Sequence, residues 1–569
     1  MKQFAFLITL ISIIGIDIIA QDNTNRFVKP MKLSPSVSGS FGELRSNHFH
    51  SGLDLTTNRK TGYRIYASDK GYVSRIKVSP FGYGKALYID HEGGFTTVYA
   101  HLERYSNRID SLIRARQYEQ KSFAIELFFK PGELEVARGE VIAYSGNSGG
   151  SGGPHLHYEV RDKASQKPMN PLQFRDDIPD DVRPQVQGMK LYCLSDDASI
   201  AGKRKDVFVP TVFYDRAFHP KGSTKFTAYG KIGVGVQVID YLTGSWRKCG
   251  ISTMDLFVND TLVYNFKIDK FSFAESRYIN SHIDYAEKKR TGKVIQKGFV
   301  EPNNRLSLYG VKNEYSADIK PGDKKIFKFV IEDFVGNRSV LAFTVIGEAP
   351  LPAKSIGKTN FIKVNYNKAF KLDTLGMKLS IPAKTFYTDI DLFVHKEDKD
   401  GLLGPVYIIG DKEIPLHRSM TVTIPVPDSL LHYNEKLLIA GVSSANKTYA
   451  IGGKVKDSEL SVSTRGFGRF TVAIDTIAPT IKLRKAPENN NYSSRASIEL
   501  IINDEFSGIK SYECLIDGQW ALFDYDAKNY RLTGTFKHMP FLKRGQHELQ
   551  VKVVDGCGNE SLKSFQFSN

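Results

Sequence analysis

A short pattern occurs twice in this chain and fixes its coarse plan. Asp180-Asp181-Val182-Arg183-Pro184-Gln185-Val186 is echoed by Asp475-Thr476-Ile477-Ala478-Pro479-Thr480-Ile481, and each opens a strand-rich region. The two regions also close alike, on Asp333-Phe334-Val335-Gly336-Asn337-Arg338-Ser339 and Asp555-Gly556-Cys557-Gly558-Asn559-Glu560-Ser561. A shared opening and a shared close imply two related modules, the first enlarged by long insertions. Tight turns such as Asn259-Asp260, inside the apolar run from Leu256 to Val263, point to β-sandwiches of immunoglobulin-like build. At 569 residues the chain must in any case divide, because single cores stop growing near about 250–300 residues.

The rest of the plan is also mainly β. Between Phe41 and Phe174, Tyr72 to Val78, Ala86 to Asp90, Phe95 to Ala100 and Val141 to Tyr144 read as short strands set off by glycines. His91-Glu92-Gly93-Gly94 reads as a hairpin turn between two of them. Asn107 to about Phe129 differs: Ile109, Leu112 and Ile113 have helical spacing, and Phe123 to Phe128 reads as a strand. The expected divisions are a secretion signal over 1–20, a first β domain over 28–175, a β-sandwich module with insertions over 176–350, a β-rich module over 351–474 and an immunoglobulin-like module over 475–569. No catalytic constellation stands out in the last three, which read as spacer or binding modules.

Lys2, the apolar run from Phe4 to Ile19 and the small residue Ala20 read as a cleavable export signal. The run is short for a membrane span and Asp17 interrupts it, so no stable membrane insertion is expected after cleavage. The chain is expected to work in the periplasm or outside the cell. Its net charge of +16 suits an anionic surface, but no Arg/Lys-rich arm or nucleic-acid motif accompanies it, so nucleic acid is not expected as a partner. The four cysteines contain no Cys-x-x-Cys. In an oxidising compartment Cys193–Cys249 and Cys514–Cys557 would pair within single modules.

The chemistry concentrates in the first β domain. Gly146 to Gly153 is a glycine-rich approach that ends in Pro154, and His155 and His157 follow two apart in an apolar run. On a strand both imidazoles project from one face, with Leu156 turned into the core. Upstream, His50 and Asp54 are four apart around Gly52, a spacing that is common by chance. Together with the histidine pair they offer nitrogen and oxygen ligands for zinc, and three protein ligands plus a water is the pattern of a catalytic site. His101 closes the apolar stretch Val98-Tyr99-Ala100. Glu159 is either a partner behind the ligand or a plain surface glutamate. His547-Glu548 lacks the second histidine of a His-Glu-x-x-His motif, because Val551 stands there.

These residues together resemble the lysostaphin-type (LytM-like) zinc endopeptidases of bacterial cell walls. The matching pieces are His50-x-Gly52-x-Asp54, Tyr99-Ala100-His101-Leu102, Gly146 to Gly149, Gly153-Pro154-His155-Leu156-His157-Tyr158-Glu159 and Asn170-Pro171-Leu172, in the family's order and over roughly residues 38–175. The resemblance implies a small antiparallel β domain with an open groove. It implies that His50, Asp54 and His157 bind Zn2+, and that His101 and His155 flank the reacting water as catalytic residues. It further implies a metalloendopeptidase acting on stem or cross-link peptides of peptidoglycan, with the C-terminal β modules free to bind envelope partners. The other reading is a catalytically silent envelope scaffold or regulator of wall hydrolases, but such relatives typically lack ligands and none is missing here. The segment near 107–129 departs from the family's pattern and is expected to wall one end of the groove.

Overall fold

Short apolar runs separated by glycine turns become antiparallel strands along the whole chain. The structure, a computed structural model, describes residues 26–33, 36–175, 177–312, 317–352 and 361–569. The expected export signal lies outside the described residues.

In the N-terminal domain the elements are β1 (Val37–Gly39), β2 (Leu53–Thr56), β3 (Arg64–Tyr66), β4 (Gly71–Val78), β5 (Lys85–His91), β6 (Phe95–Ala100), β7 (Arg104–Tyr105), α1 (Asn107–Gln120), β8 (Ile125–Phe128), β9 (Glu135–Val136), β10 (Val141–Tyr144), β11 (His155–Asp162) and β12 (Pro168–Met169). The main sheet runs β1-β2-β11-β6-β5-β4-β8, with β12 on β11 and β9 on β4. A smaller sheet runs β3-β10-β7. In β11, Leu156, Tyr158 and Val160 turn into the core and are fully buried, which leaves His155, His157, Glu159 and Arg161 on the opposite face. Register then does the positioning: His157 lies opposite Asp54 on β2 and opposite Ala100 on β6.

The helix and strand expected near 107–129 are both present, as α1 and β8. Ile109 and Ile113 form the buried face of α1, with Leu112 half-buried at its margin. Lys121 closes the helix in the left-handed region, at φ 46°. The far side of α1 meets the last module: Tyr118 packs edge-on to Trp520, with ring centroids 5.3 Å apart, and its hydroxyl donates to the His538 carbonyl at 2.8 Å.

Beyond the N-terminal domain, β structure continues to the end. Residues 185–347 contribute a 13-stranded network centred on the long strand Lys225–Tyr241, with the short helices Ile279–His282 and Tyr285–Thr291 among its insertions. This is more elaborate than the plain sandwich that the repeat suggests. The expected turn at Asn259-Asp260 does form, with both residues at positive φ between Thr253–Val258 and Thr261–Lys267. Residues 362–474 form two five-stranded sheets and a two-stranded ribbon, and residues 480–568 form two four-stranded sheets. The modules are not isolated beads. Phe41 and Phe49, from the loop before β2, are buried in the core of the 185–347 region, while Leu242 and Cys249 of that region are buried in the N-terminal domain's core.

That interlocking corrects the expected disulfides. All four cysteines are free. Cys193 sits at the edge of the 185–347 core, whereas Cys249 faces the N-terminal core. Cys514 points into the last module's interior, whereas Cys557 packs on Leu438, Ala440 and Ala473 of the preceding module. Each proposed pair faces two different cores. No helix among the described residues is long and apolar enough to cross a membrane.

Candidate metal centre

The chain meets at one point from three directions. His50 comes from the loop before β2, Asp54 from β2 and His157 from β11, and all three are buried. His50 Nε2 lies 3.0 Å from Asp54 Oδ1 and 3.0 Å from His157 Nδ1, and His157 Nδ1 lies 2.8 Å from Asp54 Oδ1. Gly52 makes this convergence possible: a Cβ there would stand 2.2 Å from the Tyr158 carbonyl oxygen.

The far side of each group is tied off. His50 Nδ1 donates to the Ser40 carbonyl at 2.7 Å, which leaves its Nε2 lone pair aimed at the cluster. His157 Nε2 donates to Glu159 Oε1 at 2.8 Å, which leaves Nδ1 aimed there. Arg45 Nη2 donates to Asp54 Oδ2 at 2.6 Å, so Oδ1 is the free oxygen. Two imidazole lone pairs and a carboxylate oxygen crowded within about 3 Å repel one another unless a positive charge lies among them. Neutral imidazole and carboxylate ligands fixed by outer hydrogen bonds are the donor set that suits zinc. The residues present therefore fit the metal that the sequence implies.

Burial and charge set the protonation states. Burial depresses His50 to about 4 against the opposing pull of Asp54. Burial also acts on His157, but hydrogen bonds to Asp54 and Glu159 overcome it and hold the imidazole up to about 9. Asp54 stays well below the usual carboxylate range: burial raises it, and His50, His155 and His157 outweigh burial.

Glu159 is the buried partner behind His157 and not a surface glutamate. It is fully buried and also accepts from Ser51 Oγ at 2.6 Å, from Arg161 Nε at 2.5 Å and from the Tyr83 hydroxyl. Burial pushes its carboxyl up, and Arg161 and His157 more than offset this, leaving it far below the usual range.

His101 and His155 stand beside the cluster, with ring centroids 4.8 Å apart. His101 follows β6 in the left-handed region, at φ 60°, and Nδ1 donates to the Ser148 carbonyl at 2.9 Å. Burial, with His157 and His155 alongside, lowers it to about 3. His155 Nδ1 donates to the Gly153 carbonyl at 2.8 Å, and Nε2 lies 3.4 Å from Asp54 Oδ1. Both rings thus present Nε2 as an acceptor. All five residues expected from the sequence come together. His48 is exposed and bonded to its own loop through Ser46, and His91 is a buried core histidine held by Lys70 and Thr97.

Ser40, Arg45, Ser51, Tyr83 and Arg161 were not expected at the site. Arg161 was legible, since it continues the 155, 157, 159 alternation; the other four lie on loops, where spacing carries no such signal.

A cleft of about 600 Å3 adjoins the centre, lined by Ser148, Gly149 and Pro154, by Ile113 and Gln117 of α1, and by the last module near Asp524. The insertion and the C-terminal module thus line this cleft from two sides, and none of His50, Asp54, His101, His155 and His157 lines it. Lys85 Nζ pairs with Asp524 Oδ2 at 2.6 Å. Lys528 Nζ reaches the glycine-rich loop, donating to Ser151 O at 2.8 Å, to Asn147 Oδ1 at 3.0 Å and to the Asn147 carbonyl.

Comparison with known proteins adds the following. Residues 48–118 match Peptidase family M23, and residues 362–475 match the Zu5-like domain. The first match ends inside α1. Over 141 residues the chain is 33% identical to the DD-carboxypeptidase/endopeptidase Mpg of Neisseria meningitidis serogroup B (strain ATCC BAA-335 / MC58), covering 24% of this chain and 26% of that protein. Over 111 residues it is 31% identical to the peptidoglycan DD-endopeptidase ShyB of Vibrio cholerae, covering 20% of each. A crystal structure of a zinc containing peptidase from Vibrio cholerae aligns at 26% identity and TM-score 0.20, over 27% of this chain and 40% of that one. The matched segment spans about a quarter of the length of the first of these relatives.

Proposed function

We propose, from the match of residues 48–118 to Peptidase family M23, that the chain is a zinc-dependent endopeptidase hydrolysing peptide bonds in the stem or cross-link peptides of peptidoglycan. One observation carries the reading: His50 Nε2, Asp54 Oδ1 and His157 Nδ1 converge while their opposite atoms are bonded to Ser40, Arg45 and Glu159. Such a set holds a cation without reorganising. His50, Asp54 and His157 would hold zinc, which would supply Lewis acidity for a carbonyl and a water of pKa lowered toward about 7.

The protein's own groups do the rest. The low value of His101 keeps it neutral, so its Nε2 accepts a hydrogen bond from the attacking water and orients it. His155 Nε2, left as the acceptor because Nδ1 donates to the Gly153 carbonyl, takes the water's proton. The same imidazolium returns that proton to the leaving amine. The Ser148 and Gly153 carbonyls hold both rings in the tautomer this requires.

The relatives named as DD-endopeptidases support peptidoglycan peptides as the substrate class. The net charge of +16 favours an anionic wall, and an export signal at the N-terminus would deliver the chain to the periplasm or beyond. The test is to measure bound metal in the purified protein and incubate it with isolated peptidoglycan. One zinc per chain and released peptides with new amino termini are expected. Zinc-loaded protein that releases none would replace this reading with the silent-scaffold one.

A further inference from the structure

The repeated aspartates find a third partner in each module. Asp180, Asp240 and Asp333 bring carboxylate oxygens within 4.8 Å of one another, and so do Asp475, Asp504 and Asp555. The positions correspond. Gln185 and Thr480, one past each repeated proline, pair with Ile239 and Asn503, and the next residue is Asp240 or Asp504. Asn337 and Asn559 each donate to the backbone carbonyl of the opening aspartate, at 3.1 and 2.9 Å. Ser339 and Ser561 likewise donate to the Pro184 and Pro479 carbonyls.

The two triads differ in how they are satisfied. In the last module Asp504 Oδ2 accepts from the Phe506 and Gly508 amides at 3.1 and 2.6 Å, and Asp475 Oδ2 accepts from the Ser507 amide at 3.2 Å. Asp240 has one backbone contact, from the Tyr241 amide, and no such turn among the described residues. It is 2% exposed, and its buried Oδ1 has no hydrogen-bond partner. The charges that act on it, among the described residues, are those of Asp333 and Asp180, both negative. Burial and these two neighbours push its carboxyl up to about 8. An unpaired carboxylate buried between two others is costly unless a cation joins them.

We propose that Asp180, Asp240 and Asp333 form a calcium site. The donors are all oxygens and all carboxylates, the set of a hard cation, and calcium accepts the irregular geometry of three separate segments completed by water or carbonyls. The ion would tie together the module's opening segment, the end of the strand Lys225–Tyr241 and the closing loop. Directly after Asp240, Leu242 and Cys249 are buried in the peptidase domain. Gly250 N donates to Ser40 Oγ at 2.8 Å, and the Ser40 carbonyl receives His50 Nδ1. The calcium site therefore braces the junction that supports one ligand of the catalytic centre.

The test uses the full chain, freed of metal and titrated with calcium chloride in a calorimeter, with magnesium as a parallel arm. The wild type is expected to bind calcium and to melt roughly 5 °C or more higher at a hundredfold excess over Kd. Magnesium is expected to be at least tenfold weaker. Asp240→Asn is expected to bind one calcium fewer per chain, and without metal to melt no lower than the wild type because the amide cannot ionise between the two neighbouring carboxylates. Should that variant fail to fold, half-buried Asp180→Asn serves in its place, with calcium affinity at the site expected to fall at least tenfold. No calcium bound by the wild type, or an unchanged stoichiometry in Asp240→Asn, would overturn the proposal.

Discussion

His157 Nε2 donates to Glu159 Oε1 across 2.8 Å, two residues along the same strand, and Glu159 is in turn held by Ser51, Tyr83 and Arg161. The His157 ring is oriented by a carboxylate that is itself held by three other side chains. Glu159→Gln keeps the shape but weakens the acceptor. It is expected to lower zinc affinity about 10- to 100-fold, as outer partners of metal-bound histidine generally do. Competition with a chromophoric chelator measures it, and an unchanged affinity would mean that Glu159 only fills space.

The protonation states give zinc binding a definite pH dependence. His157 rises to about 9 in the folded metal-free protein from 6.5, so its stabilising contribution is complete below pH 6.5 and is lost as pH rises through 9. His50 falls to about 4 from 6.5, so stability is lost as pH drops from 6.5 through 4. A zinc ion held by His157 would displace the His157 proton. Binding at pH 7 should therefore release about one proton, and the release should vanish well above pH 9. Calorimetry in buffers of different ionisation heat reads this directly.

Gly52→Ala tests the convergence itself. The new methyl would meet the Tyr158 carbonyl oxygen at 2.2 Å, against backbone that cannot yield cheaply. A loss of about 1–3 kcal/mol in stability is expected, together with weaker zinc binding, because Gly52 lies between His50 and Asp54. Chemical unfolding and metal titration of the same sample would show both.

Lys528 connects the last module to the loop that carries Ser148, whose carbonyl fixes His101. Lys528→Ala frees that loop without touching a zinc ligand. A several-fold fall in kcat is expected with zinc content unchanged, since small misplacements of an orienting group are costly. Loss of zinc instead would show that the last module acts on the centre as a whole.

What the chain reveals before folding depends on how local each feature is. The alternation from His155 to Glu159 identified β11 and its outward face, because period two is a property of one strand. The repeat at Asp180 and Asp475 is legible because each copy is one contiguous stretch of sequence. The pairing of His157 with Asp54 is a matter of register between strands about a hundred residues apart, and only the family resemblance anticipated it. Arg45, Tyr83 and Ser40 arrive on loops, and Asp240 and Asp504 occupy strand ends at different distances from their repeats. The contact of Tyr118 with Trp520, and the insertion of Phe41 and Phe49 into another region's core, join segments too distant for any pattern to signal. The expected disulfides failed there too, because each pair was split between cores.

The proposed function depends above all on His157 holding zinc while His101 acts on the reacting water. It is tested most directly by comparing zinc content and new amino termini released from peptidoglycan for wild type, His157→Ala and His101→Ala. The account predicts that His157→Ala loses both zinc and activity. It predicts that His101→Ala keeps about one zinc per chain and loses activity by about 10²-fold or more. Wild-type digestion by either variant would contradict it.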